Sequence, residues 1–92
     1  MEKRMLKNYV ELCGFKLVKG SYTVHNLDFE DKMEFAECLT IVDGDGKGLA
    51  LISEDRVAWM KLYSQYHFLS DEMRKSLLLF ISEYALTDLE NR

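Results

Sequence analysis

Apolar residues recur along this chain in blocks, some spaced for a helix and some for strands. Met5, Leu6, Tyr9, Val10 and Cys13 fall at i, i+1, i+4, i+5 and i+8, one face of a short helix, with Lys3, Lys7 and Glu11 opposite. Gly14 is placed to end that helix in a left-handed conformation. Phe15 to Val18 and Tyr22 to Leu27 are short runs of β-formers around Lys19–Gly20–Ser21, which predicts a hairpin turning at Gly20. Residues 28–34 form a charged connection. Phe35 to Val42 and Gly48 to Ser53 flank Asp43–Gly44–Asp45–Gly46–Lys47, a second hairpin signal. Residues 56–63 alternate as a strand buried on both faces would. Trp59, Tyr63 and Tyr66 also fit a helix face, and the strand is the expected form. Ser70 is an N-cap residue, and Asp71 and Glu72 follow at the positive end of the helix dipole. Met73, Leu77, Phe80, Ile81 and Tyr84 then recur at helical spacing, Leu78 widening the stripe, which predicts a helix over about 71–86. Thr87 and Glu90 have capping-box spacing and point to a last turn.

These elements compose an α+β fold. An antiparallel sheet of four or five strands is expected, with a short N-terminal helix and a long C-terminal helix packed on it. At 92 residues the chain has room for one core, and residues 1–92 are expected to form a single domain.

Charge changes the picture along the chain. Residues 1–19 hold five basic groups against Glu2 and Glu11, a balance of +3, whereas residues 20–55 hold nine acids against Lys32 and Lys47, a balance of −7. Residues 56–92 balance at five and five, so the formal net charge is −4. The basic stripe of a nucleic-acid binder is missing, and no nucleic-acid partner is expected. Leu77 to Ile81 is the longest apolar run, too short to span a bilayer, and no membrane partner is expected. The charged N-terminus lacks the apolar core of a signal peptide, which suggests a cytoplasmic protein with Cys13 and Cys38 as free thiols.

Candidate chemistry is sparse. Asp43, Asp45, Gly48 and Glu54 stand at positions 1, 3, 6 and 12 of a calcium-loop pattern, but Lys47 occupies ligand position 5 and Ala50 position 8. The strand-like flanks favour a plain hairpin turn that holds no metal. Cys13, His25, Cys38 and His67 are separated by 11, 12 and 28 residue gaps that do not match local zinc spacing. Cys13 shares a face with Leu6, Tyr9 and Val10, so it reads as a buried, inert thiol, and Cys38 lies in a strand. Gly44, Gly46 and Gly48 lack the helix and the Lys-Ser/Thr ending of a phosphate loop. The aromatic stretch Trp59, Tyr63, Tyr66, His67 and Phe68 reads as core before interface. No cofactor, metal or catalytic residue is expected.

The run from Phe80 to Arg92 resembles the ending of small phage and prophage proteins of Gram-positive bacteria: a helix, then Glu-Tyr-Ala, Thr-Pro and an acidic stretch closing on Arg. Glu83, Tyr84, Ala85, Thr87, Glu90 and Arg92 match, and Asp88 stands where the proline would be. The resemblance implies an origin and no activity. The expected function is that of a small non-enzymatic accessory or regulatory protein that binds another protein. The alternative is a small-ligand or calcium-binding module on the Asp43–Glu54 loop. The acidic segment Asp28, Glu30, Asp31, Glu34 and Glu37 is the expected surface for a basic partner. Leu79 is the expected exposed apolar residue, because one helix face cannot bury Leu77, Leu78 and Leu79 together, and it is placed to seed a homodimer.

Overall fold

The computed structural model describes residues 1–25 and 33–92, with side chains placed outside residues 22–36. The chain order is helix α1 (Lys3–Leu12), strands β1 (Lys16–His25), β2 (Met33–Val42), β3 (Gly48–Ser53) and β4 (Met60–Leu62), a 3-10 turn at Ser64–Phe68, helix α2 (Asp71–Leu86) and a closing 3-10 turn at Leu89–Asn91. The fold is α+β. Among the described residues the strands form one antiparallel sheet in the order β1-β2-β3-β4, and both helices pack on it.

Local signals explain most of these bounds. Gly14 adopts φ 85°, which lets the Phe15 amide donate to Val10 O (3.1 Å) and the Gly14 amide to Glu11 O (3.0 Å). That pair of bonds closes a Schellman motif on the last carbonyls of α1. Asp43 Oδ1 accepts from the amides of Asp45 and Lys47, both at 2.9 Å, and Gly46 takes φ 81°. Residues 43–47 thereby connect two antiparallel strands through an Asx turn. Ser70 Oγ accepts from the Met73 amide at 3.2 Å and fixes the start of α2.

Several expectations are corrected. Lys19–Gly20–Ser21 is not a turn: β1 runs unbroken through it, in register with Leu39, Cys38 and Glu37 of β2. Gly20 needs no left-handed backbone there, so pairing along β2 decides the conformation. Met33 and Glu34 belong to β2 and not to a connection, and residues 28–32 of that connection lie outside the described residues. The strand expected over 56–63 shrinks to Met60–Leu62. Residues 54–58 bend instead, with Ala58 at φ 64° and its amide donating to Ala85 O at 2.6 Å. Thr87 makes no capping box with Glu90. Its hydroxyl donates to Glu83 O at 2.8 Å, and Asp88 caps the closing turn without a side-chain bond.

The core lies between the helices and one face of the sheet. Leu6 and Val10 of α1 meet Leu39 and Ile41 of β2, Leu49, Ala50 and Ile52 of β3, Tyr66, and Leu77, Ile81, Tyr84 and Ala85 of α2. Each fully buried aliphatic side chain is worth roughly 1.5–3 kcal/mol against exposure. Phe80 is only half-buried. It stacks on Tyr9 with ring centroids 3.5 Å apart and planes 4° apart, and this pair joins the two helices. No helix among the described residues is long and apolar enough to cross a membrane.

Candidate functional site

Burial and charge coincide at one place, where β3 ends. Glu54 accepts one bifurcated hydrogen bond from the Tyr84 hydroxyl, 2.9 Å to Oε1 and 3.1 Å to Oε2. Lys3 Nζ lies 3.5 Å from Glu54 Oε1, and Arg92 Nη1 lies 3.6 Å from Oε2. The Arg92 side chain is 3% exposed. Its guanidinium donates to Ser53 O, Ala85 O and Thr87 O at 2.5, 2.9 and 3.0 Å and stands 4.8 Å over the Tyr84 ring. Burial holds the Tyr84 phenol well above the usual tyrosine range, and the bond and charge of Glu54 raise it further. The charged and phenolic groups of this cluster are paired with one another. The cluster ties α1, the end of β3, α2 and the closing turn together, which is structural work.

That cluster also takes Glu54 out of the calcium-loop pattern. As an extended strand, β3 carries Glu54 roughly 20 Å along from Asp43, and the carboxylate is engaged by Tyr84, Lys3 and Arg92. Among the described residues no group of three or more His, Cys, Asp or Glu side chains is arranged to hold a metal ion. Cys38 is buried, whereas Cys13 is half-buried at the C-cap of α1, beside the Tyr9 hydroxyl. Cys13 is therefore less enclosed than expected, because it stands one turn beyond the half-buried Tyr9 and off the Leu6–Val10 stripe that is buried in the core. Of the aromatic stretch, Tyr66 is core, its hydroxyl donating to Arg74 O at 2.7 Å, while Trp59 and Tyr63 are half-buried and Phe68 is exposed.

In the acidic segment, Asp28, Glu30 and Asp31 lie outside the described residues. Glu34 lies in β2 opposite Val24, and Glu37 is an exposed residue whose amide donates to Asp55 Oδ2 at 2.6 Å. β3 pairs only with residues 38–42 of β2, so the pairs from Ser21–Glu37 to His25–Met33 form a ribbon beyond it.

The most distinctive surface is the outer side of the helical layer. Helix α1 runs antiparallel to α2: Tyr9 stacks on Phe80, and the Met1 amino group donates to Thr87 Oγ1 at 2.7 Å. With 3.6 residues per turn, the stripe Leu77, Ile81 and Tyr84 faces the sheet, and Leu79 and Leu86 stand about 170° away on the crest. Leu79 is 66% exposed and Leu86 65%. On α1, Met5 and Leu12 are 55% and 86% exposed, although the spacing of Met5 assigns it to the buried face. The physical reason is that Leu6 and Val10 alone meet the sheet, while Met5 falls on the outward side of the Tyr9–Phe80 contact. Each helix thus shows two large apolar side chains seven residues apart. The run Leu77–Leu79 points to Leu79 in the sequence. Leu86, Met5 and Leu12 become visible only once the sheet-facing stripe of each helix is fixed.

Compared with protein-family models, curated proteins and solved structures, the chain matches none.

Proposed function

We propose that this protein is a small non-enzymatic binding module, an accessory or regulatory protein whose contact surface is the outer face of α1 and α2. The observation that carries this reading is the set of four exposed large apolar side chains, Met5, Leu12, Leu79 and Leu86, on adjacent antiparallel helices. Exposing them to water costs free energy that burial against a partner recovers, roughly 1–2 kcal/mol for each side chain at these exposures. Contiguous exposed apolar surface of this kind marks interaction sites in soluble proteins. A second reading keeps the acidic segment of residues 20–55, at −7, as a separate surface for a basic partner, because a one-signed field accelerates encounter with the opposite sign. A cytoplasmic setting and a phage or prophage origin belong to the same proposal.

The test uses the full chain and the double variant Leu79→Arg, Leu86→Arg as affinity baits in extract of the native host. The wild type is expected to retain partners that the variant loses, while far-ultraviolet circular dichroism of the two stays the same. Identical retained sets from two equally folded baits would contradict the reading.

A further inference from the structure

Resting on the reading of this face as a protein-binding surface, we propose that its occupant is a second copy of this chain. The two copies are related by a two-fold axis parallel to the helices, so that α2 of each lies on α1 of the other.

Three features of the face fit a second copy. The first is register. Tyr9 stands level with Phe80 and Met1 with Thr87, so Leu12 and Met5 lie near the levels of Leu79 and Leu86. A rotation about an axis along the helices keeps levels unchanged and exchanges α1 for α2. It therefore sets Leu79 of one copy against Leu12 of the other, and Leu86 against Met5, each contact occurring twice. Both helices carry their apolar pair seven residues apart, about 10.5 Å, so the two ladders match.

The second is charge. Lys75 and Glu11 are both exposed, and helical spacing sets each on the side of its own helix turned away from the Tyr9–Phe80 contact. The same rotation brings the Lys75 edge of one copy over the Glu11 edge of the other, at nearly the same level. An isologous interface makes this pair twice.

The third is area. Two helices about 10 Å wide, each overlapped along the roughly 15 Å length of α1, give roughly 300 Å² in projection. Side-chain relief raises the accessible area above this projection, into the range below about 600 Å² per partner that weak, transient interfaces bury.

The experiment is sedimentation equilibrium of the full chain from about 1 to 300 μM, with four variants. The wild type is expected to pass from monomer to dimer across this range. Leu79→Arg, which removes two contacts by symmetry, should weaken dimerisation at least about a hundredfold while circular dichroism is unchanged. Lys75→Glu and Glu11→Lys alone should each weaken it roughly tenfold, because each places like charges together twice. An equimolar mixture of these two single variants should regain wild-type association, since both cross-copy pairs are then opposite in sign. The double variant Lys75→Glu, Glu11→Lys should regain it as well. A wild type that stays monomeric to 300 μM overturns the proposal, as does a dimer indifferent to Leu79→Arg or a mixture no tighter than its components. A monomeric wild type whose extract partners still depend on Leu79 and Leu86 would leave the binding reading standing and remove only the second copy.

Discussion

A guanidinium taken out of water costs several kcal/mol unless its donors are met, and Arg92 meets them with the carbonyls of Ser53, Ala85 and Thr87 and the carboxylate of Glu54. Breaking such a cluster from one side leaves carbonyls and a carboxylate without their donor. Arg92→Ala is expected to lower the unfolding free energy by about 3 kcal/mol in urea titration, and a loss under about 1 kcal/mol would show the cluster to be incidental. Tyr84 gives the same cluster a pH signature. Its folded pKa lies above the unfolded tyrosine value, because burial and Glu54 disfavour the phenolate. A raised pKa means that the native state holds the proton more tightly, so this contribution is fully present below about pH 10 and is lost as pH rises above it. Tyr9 and Tyr66, also raised by burial, act in the same direction. Stability measured by urea titration from pH 8 to 12 is expected to fall above pH 10, and the fall should be shallower in Tyr84→Phe. Equal slopes in the two proteins would contradict this assignment.

At the scale of the element, each boundary that short-range chemistry sets was legible. Ser70 and the 3.6-residue stripe fix α2, Gly14 ends α1, and the Asp-Gly turn joins β2 to β3. Gly14 is needed for its backbone, since φ 85° strains any side chain whether or not space is free. Gly14→Ala is expected to cost about 1 kcal/mol in urea titration, and no loss would mean that the helix ends equally well without the Schellman turn. Boundaries that depend on distant pairing were not legible. Gly20 is written like a turn, but ten registered pairs with β2 carry the strand through it. Residues 56–63 are written like a strand, but Ala58 turns back to bond Ala85 of α2, and only Met60–Leu62 pair as one. The Glu54–Tyr84–Arg92 cluster was hidden for the same reason, since Tyr84 stands 30 residues from Glu54 and Arg92 39 residues from Ser53. Leu79 could be singled out because a third consecutive leucine exceeds what one helix face can bury. Leu86, Met5 and Leu12 could not, because their exposure depends on how each helix is rotated against the sheet.

For the whole molecule, the helices serve two surfaces. Their inner stripes close the core over β2 and β3, and their outer crests carry a second apolar layer that a single copy leaves in water. That layer, on the present account, is where the molecule meets its partner, and the matched ladders make a second copy the partner that fits. The contact between copies can be observed directly by isotope-filtered nuclear Overhauser spectroscopy on a sample mixed from methyl-labelled and unlabelled chains near 300 μM. Intermolecular cross-peaks are expected between the methyl groups of Leu79 and Leu12 and between those of Leu86 and Met5. Cross-peaks confined to other exposed apolar residues, such as Val18 or Phe68, or no intermolecular cross-peaks at all, would contradict it.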